Sequence, residues 1–226
     1  MNTLENTTQT KITGEEILVG NCAVYTTQVQ SVKIDFQLLT TEEKQRSERF
    51  HRREDRERYI ATRCYIREII SNIIGIEASV IEFGKTEKGK PYLKNDGSVR
   101  FSISHSGSRI AVAVSKNYEC GCDIEEIDAS KISDDIINAH FHENEISFIK
   151  SNREIGFYHC WTRKEAIYKA EGSGLPDKLS SVDSTAELVM VKGIKYQLNT
   201  FQLLDGYILS VAIRSNQEQG TTVQGE

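Results

Sequence analysis

From Tyr59 to Ile74 the chain reads Tyr-Ile-Ala-Thr-Arg-Cys-Tyr-Ile-Arg-Glu-Ile-Ile-Ser-Asn-Ile-Ile, apolar at helical spacing until Gly75 supplies a C-terminal stop. A helix this rich in isoleucine has to be packed into a core, so the chain must supply further elements to cover it. With 38% apolar and 27% charged residues, the composition is that of a globular protein able to do so. At 226 residues there is enough chain for one sizeable core or two packed halves.

The approach to that helix is basic. Thr40-Thr-Glu-Glu43 is a capping box that should start a helix, and from Thr41 to Arg67 there are nine Lys and Arg against six acids. A solvated, salt-bridged helix pair is the bland explanation of such a run. A formal net charge of -5 for the whole chain excludes the basic excess typical of nucleic-acid proteins. No apolar run reaches the ~20 residues needed to cross a bilayer, and Met1 to Thr8 lacks the basic and apolar parts of a signal peptide. Five cysteines, without metal-finger spacing, fit a reducing compartment, so no membrane partner and a cytoplasmic address are expected.

Strands are expected at Glu16 to Tyr25, Val29 to Phe36, Val80 to Phe83, Phe101 to Ser104, Ile110 to Val114, Val189 to Tyr196 and Tyr207 to Ile213. Gly84 to Tyr92 reads as a loop carrying Lys85, Lys88 and Lys90, and it is not a Walker loop because Ser79 stands where the first glycine belongs. His105-Ser-Gly-Ser108 reads as a tight turn with His105 at its tip, and Asp134 to Lys150 as helical. His140 and His142, two apart, do not share a helical face, which argues against zinc there. A second long helix should run from about Phe157 to Glu171 and close at Gly172-Ser-Gly174. Each half of the chain thus offers a long helix and strands ending in an alternating apolar run, which suggests a duplication. The expected fold class is α+β, as two similar lobes with a cleft between them, residues 17–116 and 117–214, flanked by flexible ends at 1–16 and 215–226.

Two stretches carry the chemistry. If Cys122 to Glu125 is extended, Asp123 and Glu125 point to the same face with Cα atoms ~6.6 Å apart, near enough for both carboxylates to meet one cation. On the second long helix Glu165 and Lys169 are four residues apart and share a face, one turn beyond Trp161. Hard oxygen donors of this kind suit Mg²⁺, which usually completes its shell with water and substrate phosphate.

Gly89-Lys-Pro91, Phe101-Ser-Ile-Ser-His-Ser-Gly107, Gly121-Cys-Asp-Ile-Glu125 and Trp161-Thr-Arg-Lys-Glu-Ala-Ile-Tyr-Lys169 together resemble the ordered motifs of the Sfp-type 4′-phosphopantetheinyl transferases. The resemblance runs from about Leu38 to Leu175, and its last two motifs in combination are its most specific part. It implies a monomer of two α+β lobes related by pseudo-twofold symmetry, with coenzyme A and Mg²⁺ in the cleft between them. Such an enzyme moves the phosphopantetheine arm of coenzyme A to a serine of an apo acyl or peptidyl carrier protein, serving fatty-acid, polyketide or nonribosomal peptide synthesis, and releases adenosine 3′,5′-bisphosphate. By position, Asp123, Glu125 and Glu165 resemble its metal ligands and Lys169 the lysine at the diphosphate. Ser104 and His105 match the turn that meets the nucleotide phosphates, Lys90 the lysine of the Gly-Lys-Pro loop, and Arg46 and Arg58 the cations at the 3′-phosphate.

Chemistry agrees with that placement. The serine hydroxyl needs a base, for which Glu165, directly or through a metal-bound water, is the first candidate and Glu145 the reserve, while Lys169 is suited to charge developing on the leaving phosphate. Glu43 and Glu48 stand where some members of the family carry cations, and Cys122 where Ile or Val is common. Two other classes remain open on the sequence: a module that binds coenzyme A or a carrier without transfer, and an Mg²⁺-dependent phosphohydrolase acting on a nucleotide.

Overall fold

The computed structural model describes residues 13–176 and 178–215, so most of the expected flexible ends, 1–12 and 216–226, lies outside the described residues. The capping box forms. Thr40 Oγ1 accepts from Glu43 N at 3.2 Å and the Glu43 carboxylate accepts from Thr40 N at 2.9 Å, opening α1 (Thr41–Glu48). Helix α2 (Arg53–Ile74) starts six residues before the expected apolar stretch and ends at Gly75, whose φ of 72° is the left-handed C-cap that glycine adopts without strain.

Four strands, β1 (Glu15–Val19), β2 (Cys22–Gln28), β5 (Val99–Ser106) and β6 (Arg109–Lys116), form a sheet in the order β1-β2-β6-β5. A short hairpin of β3 (Phe83–Lys85) and β4 (Pro91–Leu93) stands apart from it. The second large sheet, in the order β7-β10-β9-β8, is built from β7 (Cys120–Glu126), β8 (Leu188–Val191), β9 (Ile194–Leu203) and β10 (Tyr207–Arg214). Three helices lie between β7 and β8: α3 (Asp134–His140), α4 (Glu143–Ser151) and α5 (Arg153–Glu171).

Side-chain size sorts these elements into layers. Along β6, the large Ile110, Val112 and Val114 pack with Ile60, Tyr65, Ile66 and Ile69 of α2. The small Ala111 and Ala113 face the other way, where they meet Cys120, Cys122 and Ile124 of β7 and Leu209 and Val211 of β10. The period-two alternation of a strand thus places one sheet between its helix and the other sheet. Helix α5 covers the outer face of the second sheet, with Ala166, Ile167 and Ala170 packed near Leu198 and Ala212. The fold is α+β, as expected, with five α-helices and three sheets among the described residues.

Several elements differ from the sequence reading. Val29 to Phe36 is not a strand: 3₁₀ turns occupy Val29–Ser31 and Phe36–Leu38, the second closed by Asp35, whose side chain accepts from Gln37 N at 2.9 Å. Val80 ends another 3₁₀ turn (Ala78–Val80), and only from Phe83 is the chain paired. Order reaches further toward the N-terminus than residue 17, since β1 begins at Glu15 and Thr13 N donates to Glu68 Oε1 at 2.8 Å. Asp134 to Lys150 breaks in two because a second capping box forms at His142, where Nδ1 accepts from Asn144 N at 3.3 Å and Glu145 accepts from His142 N at 2.8 Å. The expected strand at Val189 to Tyr196 turns back at Lys192 and Gly193, with φ of 52° and 78°.

Candidate active site at the junction of the two sheets

Strand β5 is an edge of the first sheet and β7 an edge of the second, and the two edges lie side by side. On β7, Cys122 and Ile124 enter the core between the sheets, so Gly121, Asp123 and Glu125 face the opposite way. That face is covered by α5. A Cβ on Gly121 would stand 2.0 Å from Ala166 O and 2.4 Å from Ala170 N, so a residue without a side chain is what allows the helix to lie on the strand. Glu165 and Lys169 ride on the same stretch of α5.

Asp123 is 3% exposed and its Oδ1 accepts two hydrogen bonds, from Lys169 Nζ at 2.7 Å and from Ser104 Oγ at 2.7 Å. Its Oδ2 is buried without a partner among the described residues. Glu125 Oε2 accepts from Ser106 Oγ at 2.6 Å. Burial raises both carboxyls above their ordinary values, against the pull of the hydroxyls and of Lys169. Glu165 is pushed up to about 7, first by burial and then by the negative charge of Asp123, with Glu125 adding to it. Burial alone would draw the proton from Lys169, but the attraction and hydrogen bond of Asp123, with Cys122 and Glu165 adding to them, together overcome it and hold the ammonium above its ordinary value. The expected triad of acids therefore shares one electrostatic neighbourhood with one lysine.

Three carboxylates against a single lysine leave negative charge uncompensated, and the orphaned Asp123 Oδ2 is a buried acceptor with nothing to accept. A hard divalent cation suits such an all-oxygen donor set. Among the described residues no group of three or more His, Cys, Asp and Glu side chains is drawn into metal-ligand geometry; Lys169 sits on Asp123 instead.

The phosphate-binding candidates divide. A cavity of about 250 Å³ is lined by Lys88, Lys90, Ile103, Glu165, Tyr168 and Lys169, which joins the Gly-Lys-Pro loop to the acidic cluster. Lys90 is already engaged there, donating to Glu119 Oε2 at 2.5 Å and to Ala170 O, near the C-terminus of α5, at 2.7 Å. Arg46 is elsewhere: it stacks over Tyr59, 5.4 Å from the ring centre, and lines a second cavity of about 750 Å³ with Arg63, Arg67 and Lys85. The two cavities share Pro91 in their walls. Glu43, already noted as a departure from the resembled pattern, pairs with both Arg63 and the buried Arg67.

His105 is not at the hairpin tip. It lies on β5 opposite Ile110, on an exposed part of the strand, and the turn itself is Gly107 and Ser108. The surrounding protein and the Arg58 guanidinium hold its imidazole below the ordinary value. Arg58 donates to Gly107 O at 3.0 Å, tying α2 to that turn, and pairs with Asp55. Ser104, looked for at nucleotide phosphates, instead bridges Asp123 and Lys169, accepting from the latter at 3.0 Å.

Glu145 is removed as a reserve base. It is 0% exposed, caps α4, pairs with Lys164 Nζ at 2.7 Å and accepts from Ser184 Oγ at 2.5 Å, so no substrate reaches it. The other polar residues of the Trp161 to Lys169 stretch are also structural. Thr162 shares a hydrogen bond with Ser210 at 2.7 Å, Arg163 donates to the carbonyls of Ser184, Thr185 and Ala186, and Lys164 donates to Leu179 O and Val182 O at 2.7 Å. The sequence reading missed Ser106 and Glu119. The first was legible as the third serine of a period-two series on β5; nothing in the sequence marks the second.

Residues 25–117 match the family description "4'-phosphopantetheinyl transferase, N-terminal", and residues 119–212 match "4'-phosphopantetheinyl transferase superfamily". Among curated relatives, the chain is 32% identical over 147 residues to the 4'-phosphopantetheinyl transferase Sfp of Bacillus subtilis, covering 63% of this chain and 64% of that protein. It is 34% identical over 141 residues to the 4'-phosphopantetheinyl transferase gsp of Aneurinibacillus migulanus, 61% of this chain and 57% of that one. To the 4'-phosphopantetheinyl transferase AcpT of Salmonella typhimurium it is 39% identical over 103 residues, 44% and 53% of the two chains. The matched region thus spans from about half to a little under two thirds of the length of these relatives.

Proposed function

The chain belongs to the 4′-phosphopantetheinyl transferase superfamily, and from that membership we propose that it transfers the 4′-phosphopantetheine arm of coenzyme A, with Mg²⁺, to a serine hydroxyl of an apo acyl or peptidyl carrier protein. The observation that carries this reading is the cluster of Asp123, Glu125, Glu165 and Lys169, of which Glu165 and Lys169 line a cavity that reaches the Gly-Lys-Pro loop.

In the proposed reaction the serine oxygen attacks the phosphorus that bears the pantetheine arm. A new phosphoester bond forms, the anhydride bond to the adenosine side breaks, and adenosine 3′,5′-bisphosphate leaves with the electron pair. Glu165 takes the serine proton. Its carboxyl, held at about 7, is basic enough to accept a proton near neutral pH. Lys169, held as an ammonium beside Asp123, offsets charge that develops on the departing phosphate. Asp123, Glu125 and Glu165 would hold Mg²⁺, which supplies electrostatic stabilisation of the diphosphate when bound. Lys90, with two of its three N–H donors committed, keeps the loop in place and has one donor left for a phosphate oxygen.

We also propose that the two sheets with their long helices, residues 17–116 and 117–214, are the two pseudo-twofold lobes. Each has a four-stranded sheet with one long helix across its outer face, which supports that division. A cytoplasmic address and a monomeric state are likewise proposed, the former on five cysteines that are all free.

The test is to incubate the chain with Mg²⁺, coenzyme A and a panel of apo carrier proteins and to weigh the carriers. A gain of ~340 Da, one phosphopantetheinyl group on the serine, is expected. Unchanged carriers across the panel would overturn transfer, and release of free phosphate would point to a hydrolase instead.

A further inference from the structure

Ser102, Ser104 and Ser106 recur at every second residue of β5, and each meets the backbone or an acid of β7. Cys122 N donates to Ser102 Oγ at 3.1 Å, and Ser104 Oγ donates to Asp123 Oδ1 at 2.7 Å. Ser106 Oγ donates to Glu125 Oε2 at 2.6 Å and accepts from Glu126 N at 3.1 Å. The series -Ser-x-Ser-x-Ser- therefore faces -Asp-x-Glu- with matching period, and it joins the edges of the two sheets where no backbone ladder runs.

Ser106 differs from Ser104. Ser104 also accepts from Lys169 and so belongs to the reacting cluster itself, whereas the Ser106 hydroxyl hydrogen-bonds only with Glu125 and Glu126 among the described residues. Its single proton is committed to the Glu125 carboxylate, and Glu126 N fixes the rotation of the hydroxyl. Without that donor, Glu125 would regain rotamer freedom and be repelled by Asp123 toward solvent.

We propose that Ser106 is a positioning residue for a divalent cation. Its hydroxyl occupies one oxygen of Glu125 and turns the carboxylate toward Asp123, so that the other oxygen is presented to the ion. The inference rests on the proposed cation reading of the carboxylate cluster and adds to it the residue that orients one donor. Outer partners of this kind are typically worth 10–100-fold in metal affinity.

The probe is Mn²⁺, titrated calorimetrically into the full chain alone and with coenzyme A, for the wild type, Ser106→Ala and Ser106→Thr, with near-ultraviolet circular dichroism confirming the fold of each. The expected result is Mn²⁺ affinity about 10–100-fold weaker in Ser106→Ala and within about threefold of wild type in Ser106→Thr, which keeps the hydroxyl. Affinity in Ser106→Ala within about twofold of wild type would overturn the role of Ser106 and leave the cation site standing. A wild-type chain that takes up no Mn²⁺ in either condition would overturn the cation reading itself. Should Ser106→Ala fail to fold, Ser106→Cys, close in size but a weak donor, is judged by the same threshold.

Discussion

The carbonyl oxygen of Ala166 lies 2.0 Å from where a side-chain carbon on Gly121 would have to be. Strand β7 and helix α5 are thus in backbone contact at the one place where the acids of the strand and the helix meet. Gly121→Ala should force the helix away, at about 1–3 kcal/mol in stability from overpacking. It should also cut transfer by about 10²-fold, because a shift on the order of 1 Å separates Glu165 and Lys169 from Asp123. Gly97→Ala is the control, since nothing lies within 4 Å of the added carbon. Thermal melts and single-turnover rates on both variants check this, and a Gly121→Ala protein as active as the Gly97→Ala control would refute it.

A carboxyl raised to about 7 destabilises the fold once it ionises. For Glu165 the unfolded value is near 4.5, so its neutral form stabilises the folded chain below that pH. The benefit declines as pH rises from about 4.5 to about 7 and is gone above it. Glu165→Gln, neutral at every pH, should therefore be more stable than wild type by about 1–3 kcal/mol at pH 8 without divalent cations, and nearly equal to it at pH 4.5. It should lose transfer altogether. Urea denaturation at the two pH values measures the gap, and an equal gap at both would remove the assignment of its cause.

Much of this site was legible in the chain. Period two placed Asp123 and Glu125 on one face, and period 3.6 placed Glu165 and Lys169 on another, because those spacings are properties of the backbone alone. What they could not show is which lysines and serines would already be engaged. Lys90 is held by Glu119, and Glu145 by Lys164; both partnerships join residues at least nineteen positions apart, where no local rule applies. The departure at Glu43 was visible in the sequence, but its reason was not. The same carboxylate that caps α1 lies under α2, so it serves as a counter-ion to arginines rather than leaving the place to a cation.

Arg67 is 1% exposed, and its charge is compensated by Glu43 across 3.0 Å. Removing that partner leaves a buried cation alone, which costs about 3–5 kcal/mol. Glu43→Gln should therefore unfold at markedly lower urea at pH 7. Burial opposes ionisation of Glu43, but Arg63, the Thr40 backbone and Arg67 together overcome it and hold the carboxyl below its ordinary value. Stability from this group is present above about pH 4.5 and is lost as pH falls through its lower folded value. The acid limb of the wild-type stability curve should flatten in Glu43→Gln; a limb that is unchanged would assign acid lability to other groups.

Lys90 closes a bridge between the Gly-Lys-Pro loop, the start of β7 and the end of α5, and Arg100 Nε donates to the second oxygen of Glu119 at 2.7 Å. The ammonium lies against the C-terminal end of a helix, where carbonyls are unpaired and positive charge is favoured. Lys90→Met should lose that cap and the ion pair, at about 1–2 kcal/mol. It should also free the loop that walls the cavity containing Glu165 and Lys169, raising KM for coenzyme A about tenfold. Glu119→Gln keeps Lys90 but weakens its anchor. If Lys90 acts only as a counter-charge for phosphate, Glu119→Gln should tighten coenzyme A binding at low salt, because a neutralising acid has been removed. If it acts as a brace, binding should weaken in both variants. The bridge geometry predicts weakening in both, and calorimetric Kd values for coenzyme A at low and high salt decide between the two, with tighter binding in Glu119→Gln counting against the brace.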